Sequence, residues 1–170
     1  MPALAFRSAP PEFADPAAPA IPLHVIEEEA LTAWLESQPE RVATWARQAG
    51  FKAALGTTLL VPSPDGALDM ALAGYGTAQG RARGRFHLAT AAASLPEGTY
   101  RLEGLPGNRV EEEALGWLLA SYGFSRYRAQ GAAKAKLQAP QGVDAARIMA
   151  IAAGEVFTRD LINTPAPDMG

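Results

Sequence analysis

Residues 57–76 read TTLLVPSPDGALDMALAGYG, two apolar runs on either side of Pro64-Asp65-Gly66. Proline presets one turn dihedral and glycine permits a positive φ, so the chain reverses here and the two runs pair as a β-hairpin. A sheet is therefore part of the fold. The remaining segments have to supply its other strands and the helices that cover it.

Those segments alternate between the two periodicities. PLHVI (22–26) alternates as a short strand, and EEEALTAWLESQ follows as a helix presenting Leu31, Trp34 and Leu35 on one side. Pro39 suits the first position of a second helix with a stripe of Val42, Trp45, Ala46 and Ala49. Gly50 is placed to end it in the left-handed conformation, with Phe51 packing back. Beyond the hairpin come a strand at TYRLEG (99–104), a helix from 109 to about 122, a strand near AKLQA and a last helix from about 143. Strands interleaved with helices predict an α/β fold, a mixed sheet flanked by helices.

At 170 residues, 48% of them hydrophobic and 19% charged, the chain holds enough apolar material for one core. Residues 1–22 carry six prolines without periodicity and are expected to form an extended or poorly ordered arm. Residues 23–141 then form the α/β domain, 142–164 a connecting helix, and 165–170, rich in Pro and Gly, a linker. With no cysteine there is no disulfide framework and no thiolate metal site, which fits a reducing compartment and makes the cytoplasm the expected location. No apolar run approaches the about 20 residues of a membrane span, and MPALAFRSAPPEF has neither a basic start nor a continuous apolar stretch.

The net charge of −3 is unevenly spread. Residues 80–138 hold nine Lys and Arg against five Asp and Glu, and the rest hold six against thirteen. That excess is sparse beside the dense basic stripe of a nucleic-acid binder and reads as solvated surface.

Candidate chemistry is thin. Glu27-Glu28-Glu29 and Glu111-Glu112-Glu113 are acidic runs, but consecutive helical residues point about 100° apart and cannot converge on one ion. Both are expected in a helix's first turn, favoured by the dipole, with Asn108 and Glu111 at capping-box spacing. His24 and His87 belong to no metal-binding pattern. Ser63, Ser94, Ser121 and Ser125 lack the G-x-S-x-G elbow of a nucleophile. GYGTAQGRARGR (74–85) sets Gly74, Gly76 and Gly80 near Arg81, Arg83 and Arg85, yet its spacing is G-x-G-x-x-x-G and no ribose-binding acid follows, so a loop leaving a strand is expected. No catalytic, cofactor-binding or metal-ligating residue is assigned.

The last helix is amphipathic twice over. Ala145, Met149, Ala152, Ala153, Val156 and Phe157 form one apolar stripe, and Ile148, Ile151 and Ile162 lie on the other side. A terminal helix needs one buried face, so the second predicts a docked partner.

TRDLINTPAPDMG (158–170) resembles the interdomain junction of the leucyl aminopeptidase (cytosol aminopeptidase) family, and LGWLLASYGFSRYR (115–128) is similar to a second stretch of that family's smaller N-terminal domain. The layout from GFKAALGTTLLVP through GTYRLEG fits a bacterial branch, with Pro167 a departure where the family usually has Asn. The resemblance implies a non-catalytic, macro-domain-like N-terminal α/β domain, cut from a longer enzyme at a domain boundary. The family's two divalent ions, zinc or manganese, and its Asn-Thr-Asp-Ala-Glu-Gly-Arg-Leu signature belong to the catalytic domain. The two asparagines here, Asn108 and Asn163, are not followed by Thr-Asp. Implied partners are that catalytic domain, further copies in a hexamer, and peptide substrates, without membrane. Arg159, Asp160 and Asn163 match the junction and are expected to make structural contacts, with Glu155 at i, i+4 to Arg159. An alternative remains open, a nucleotide, ADP-ribose or DNA-binding macro-like module, which would need a phosphate loop or a denser basic face.

Overall fold

The computed structural model describes Ser8, residues 10–124 and residues 134–168. Five strands form one mixed sheet: β1 Ile21–Glu27, β2 Thr58–Pro62, β3 Leu68–Gly76, β4 Gly98–Glu103 and β5 Ala135–Leu137, in the order β2-β3-β1-β4-β5. Only the β2/β3 hairpin is antiparallel; β1 pairs in parallel with β3 and β4, and β4 with β5. The expected turn residue Gly66 and helix stop Gly50 both have positive φ, 88° and 66°.

Among the described residues six helices accompany the sheet: α1 Leu31–Glu36, α2 Glu40–Gln48, α3 Ala78–Arg81, α4 Ala89–Ser94, α5 Val110–Ala120 and α6 Ala145–Asn163. Side-chain alternation sorts them into layers. Leu23 and Val25 of β1 with Ala71, Ala73 and Tyr75 of β3 face one cluster that holds Leu88, Ala91, Trp117, Leu118, Ile148 and Ala152. Ile26 and Leu72, one residue out of phase, face Val42 and Ala46 of α2, with Leu31, Trp34 and Leu35 of α1 packed alongside. The sheet thus carries α1 and α2 on one face and α4 and α5 on the other, with α6 packed against α5.

Several local expectations change. The stripe of α2 is Val42, Ala43 and Ala46; Trp45 and Ala49 stay exposed, and Pro39 stands one residue before the helix. Glu27 closes β1 and pairs with Arg81, while Glu28 and Glu29 occupy a 3-10 turn, Glu28–Ala30, ahead of α1. The Asn108/Glu111 capping box does not form. A 3-10 turn, Gly107–Arg109, leads into α5, and Glu111 pairs with Arg147 over 3.1 Å instead. Helices α3 and α4 were not legible in the alanine and glycine-rich text that encodes them.

The described part of the arm is irregular but pinned. The Ala14 N–H donates to the Leu137 carbonyl over 2.7 Å, and Gln138 Nε2 donates to the carbonyls of Asp15, Pro16 and Ala18. Phe13 packs on the larger core cluster.

Candidate functional site

The two faces of α6 depart from the sequence reading at one residue each, Ile148 and Phe157. Ile148, expected outside, is buried at the start of an i, i+4 row that continues through Ala152, Val156 and Asp160. Phe157, expected inside, is 50% exposed. The small side chain of Ala152 brings this row onto α5, and Phe157 lies about 100° round the helix from Val156, away from it. The large apolar side chains left exposed on α6 are Ile151, Phe157 and Ile162, by 44%, 50% and 78%. Ile151 and Phe157 stand three residues before and after Gly154, whose missing Cβ meets nothing within 4 Å.

The same helix is anchored by its carboxylate. Asp160, 2% exposed, accepts from the Ser8 N–H at 2.9 Å, the Ser8 hydroxyl at 2.8 Å and the Tyr122 hydroxyl at 2.9 Å. Asn163 Nδ2 donates to that tyrosine oxygen over 3.0 Å. Arg159 lies 5.6 Å over the Tyr122 ring and pairs with Glu155 at 3.0 Å. Burial, chiefly, raises the Tyr122 phenol above its ordinary value. The junction residues Arg159, Asp160 and Asn163 thus hold α6 to the end of α5 and to the arm. Pro167 lies in a 3-10 turn, Ala166–Asp168, and is exposed.

The other groups singled out in the sequence are engaged locally. His24 stands 5.3 Å from Trp34 and His87 5.9 Å from Tyr75, centroid to centroid. Burial lowers the His24 pKa, with Glu103 opposing and Arg101 adding to the shift. Ser63, Ser94 and Ser121 donate to the carbonyls of Ala67, Ala91 and Leu118, and Ser125 lies outside the described residues. Gly74 and Gly76 end β3, and the turn beyond it opens α3, capped by the Thr77 hydroxyl at the Gly80 N–H. Arg81 donates to the Tyr75 and Gly76 carbonyls and pairs with Glu27, so it is consumed in closing the strand ends rather than offered to an anion.

One residue departs from its expected role. Glu113, read as helix-start electrostatics, is 1% exposed, and its two oxygens accept from the Tyr75 hydroxyl and the Leu88 N–H, each at 2.8 Å. Its place four residues before the buried Trp117 is the signal that marks this face of α5. Leu88 follows Phe86, whose φ is +58°, so Glu113 braces a turn that the backbone does not favour. Both carboxylate oxygens are used in this bracing. Among the described residues no three His, Asp or Glu come together as a metal site.

Comparison with known proteins completes the picture. No curated protein matches the chain. Among solved structures it is similar to a cytosol aminopeptidase from Coxiella burnetii, with 29% identity and a TM-score of 0.75 over 92% of this chain and 34% of that one. The bottromycin maturation enzyme BotP in complex with Mn, at 22% identity and TM-score 0.60 over 88% of this chain and 33% of that one, shares the fold. So does a mutant of tomato leucine aminopeptidase, at 18% and 0.58 over 91% of this chain and 38% of that one. The chain therefore spans about a third of the length of these structures. None of this supports the nucleotide or DNA-binding alternative. The model of the M17 aminopeptidase N-terminal domain matches residues 21–140, most of the chain, and the chain belongs to that family.

Proposed function

We propose that this chain is the non-catalytic N-terminal domain of a metal-dependent leucyl aminopeptidase that removes N-terminal residues from peptides. Family membership over residues 21–140 carries this reading, together with a length of about a third of a similar cytosol aminopeptidase. The metal chemistry, with two zinc or manganese ions, belongs in the reading to a separate catalytic domain. That chemistry would polarise the peptide carbonyl and activate water. The domain's part is assembly or control of access to the active site, in a cytoplasmic homo-oligomer that we take to be a hexamer.

The outward face of α6, built on Ile151, Phe157 and Ile162, is where we place the contact with the catalytic domain. It lies on the helix that runs into the junction sequence, and its three large exposed apolar groups favour burial. The test is hydrolysis of leucine p-nitroanilide with manganese or zinc. Residues 1–170 should show no metal-dependent turnover, while the full-length gene product should. Turnover by purified residues 1–170 would overturn the division of labour.

A further inference from the structure

The five-stranded sheet has two edges, and the chain treats them differently. At the β5 edge the arm is laid alongside, with Ala14 bridging Gln138 in parallel and its N–H on the Leu137 carbonyl. At the β2 edge no segment pairs outside the strand among the described residues. In the antiparallel β2/β3 ladder the Thr57 carbonyl accepts from the Gly74 N–H over 2.8 Å, so by alternation Leu60 and Pro62 turn their carbonyls outward. Both are occupied by side chains of α2. Trp45 Nε1 donates to the Leu60 carbonyl over 2.9 Å, and Arg41 Nη1 donates to the Pro62 carbonyl. Arg41 is held in place by Asp69 of β3 at 2.5 Å. Trp45 and Arg41, with Pro62 and Thr44, line a groove of about 380 Å³ along this edge.

We infer that Trp45 and Arg41 are edge caps, and that they keep β2 from pairing with the β2 of a second copy. An edge strand presents a row of unpaired backbone groups, and proteins protect it with charge, proline, bulges or cover. Strand β2, TLLVP, carries no charge, and its exposed Leu60 would favour association. Its protection is Pro62, which has no N–H, the register shift between Val61 and Pro62, and the two side-chain donors. The Leu60 N–H lies on the same outward side as its carbonyl, so with the caps gone a copy related by a two-fold axis finds both donor and acceptor. A second copy is the fitting occupant because antiparallel pairing of β2 with itself is self-complementary and joins two sheets into one.

Sedimentation velocity over a wide concentration range tests this with wild-type chain, Trp45→Phe, and Trp45→Ala combined with Arg41→Ala. The expected result is a shift toward a species of doubled mass in the double variant, with self-association tightened by about tenfold or more, and a smaller shift in the same direction for Trp45→Phe. Adding Leu60→Pro, which removes the outward N–H without touching the ladder to β3, should reverse the shift. The inference is overturned if folded variants sediment as wild type, or if their association survives Leu60→Pro. It also falls if Leu60→Pro lowers the mass of the wild-type chain. Should the double variant fail to fold, Trp45→Phe alone carries the same criteria.

Discussion

The hydroxyl of Tyr75 and the carboxylate of Glu113 meet at 2.8 Å between β3 and α5, in a layer where neither side chain is more than 1% exposed. Burial, followed by the hydrogen bond and charge of Glu113, raises the Tyr75 phenol far above its ordinary value, so it stays a neutral donor. Removing a partner from a buried carboxylate leaves a desolvated acceptor and costs about 1–3 kcal/mol or more. Tyr75→Phe and Glu113→Gln should each lower stability by that order in urea denaturation. The double substitution should cost less than their sum, because the second change no longer breaks an intact pair.

Two glycines are set by space. A Cβ at Gly74 would stand 2.1 Å from the Ala54 carbonyl oxygen, and one at Gly116 would stand 2.5 Å from Phe86 Cβ. Overpacking of this kind costs about 1–3 kcal/mol, and more when the obstacle is backbone that cannot swing away. Gly74→Ala should therefore lower the thermal midpoint more than Gly116→Ala, and both more than Gly154→Ala, where a Cβ meets nothing. Equal midpoints for the first and last would contradict the packing described here.

The α6 face assignment is open to a direct contrast. Ile148 is buried and Ile162 is 78% exposed. Ile148→Ala should cost about 2–5 kcal/mol through lost burial and a residual cavity. Ile162→Ala should stay within about 0.5 kcal/mol in residues 1–170, as exposed positions do. Chemical denaturation of both variants reads the difference.

His24 sets a pH dependence. Its folded pKa is lowered from 6.5, chiefly by burial, so the unfolded chain takes up its proton first as acid is added. The contribution is then complete above pH 6.5 and declines as pH falls below it. Wild-type stability should drop with falling pH in that window more steeply than that of His24→Asn, measured as unfolding midpoint at a series of pH values.

Hydrogen exchange on residues 1–170 should be slow from Ala152 to Val156, where α6 is docked through buried side chains, and fast beyond the Thr164 cap. Slow exchange at Ala166 would contradict this reading, since that residue is exposed.

Much of the fold was legible because its strongest signals are local. The Pro-Asp-Gly turn reverses the chain between β2 and β3, and Gly50 ends α2, each through its own backbone conformation. What escaped the sequence depends on partners far along the chain. Trp45 looked like a core residue by spacing, and its indole finds Leu60, fifteen residues on, at the sheet edge. Glu113 read as helix-start electrostatics until Tyr75 and Leu88 were brought to it, although its spacing from Trp117 pointed inward. The two faces of α6 were each misread at one residue, Ile148 and Phe157, because alanine fills both sides of the wheel, leaving the contact with α5 to decide the rotation. The junction residues were recognised by resemblance alone, and the grip of Asp160 on Ser8 had no sequence signal.

Strand β1 is the first of the described strands and sits third in the sheet, between β3 and β4. On the ribosome its partners arrive late: residues 71–76 on one side and 100–103 on the other. Synthesis at about 5–20 residues per second leaves β1 waiting several seconds with both backbone edges open. The hairpin of β2 and β3 can close by itself in the meantime, and then offers β3 to the waiting strand. Folding of the nascent domain should thus begin in its middle and recruit its own beginning afterwards.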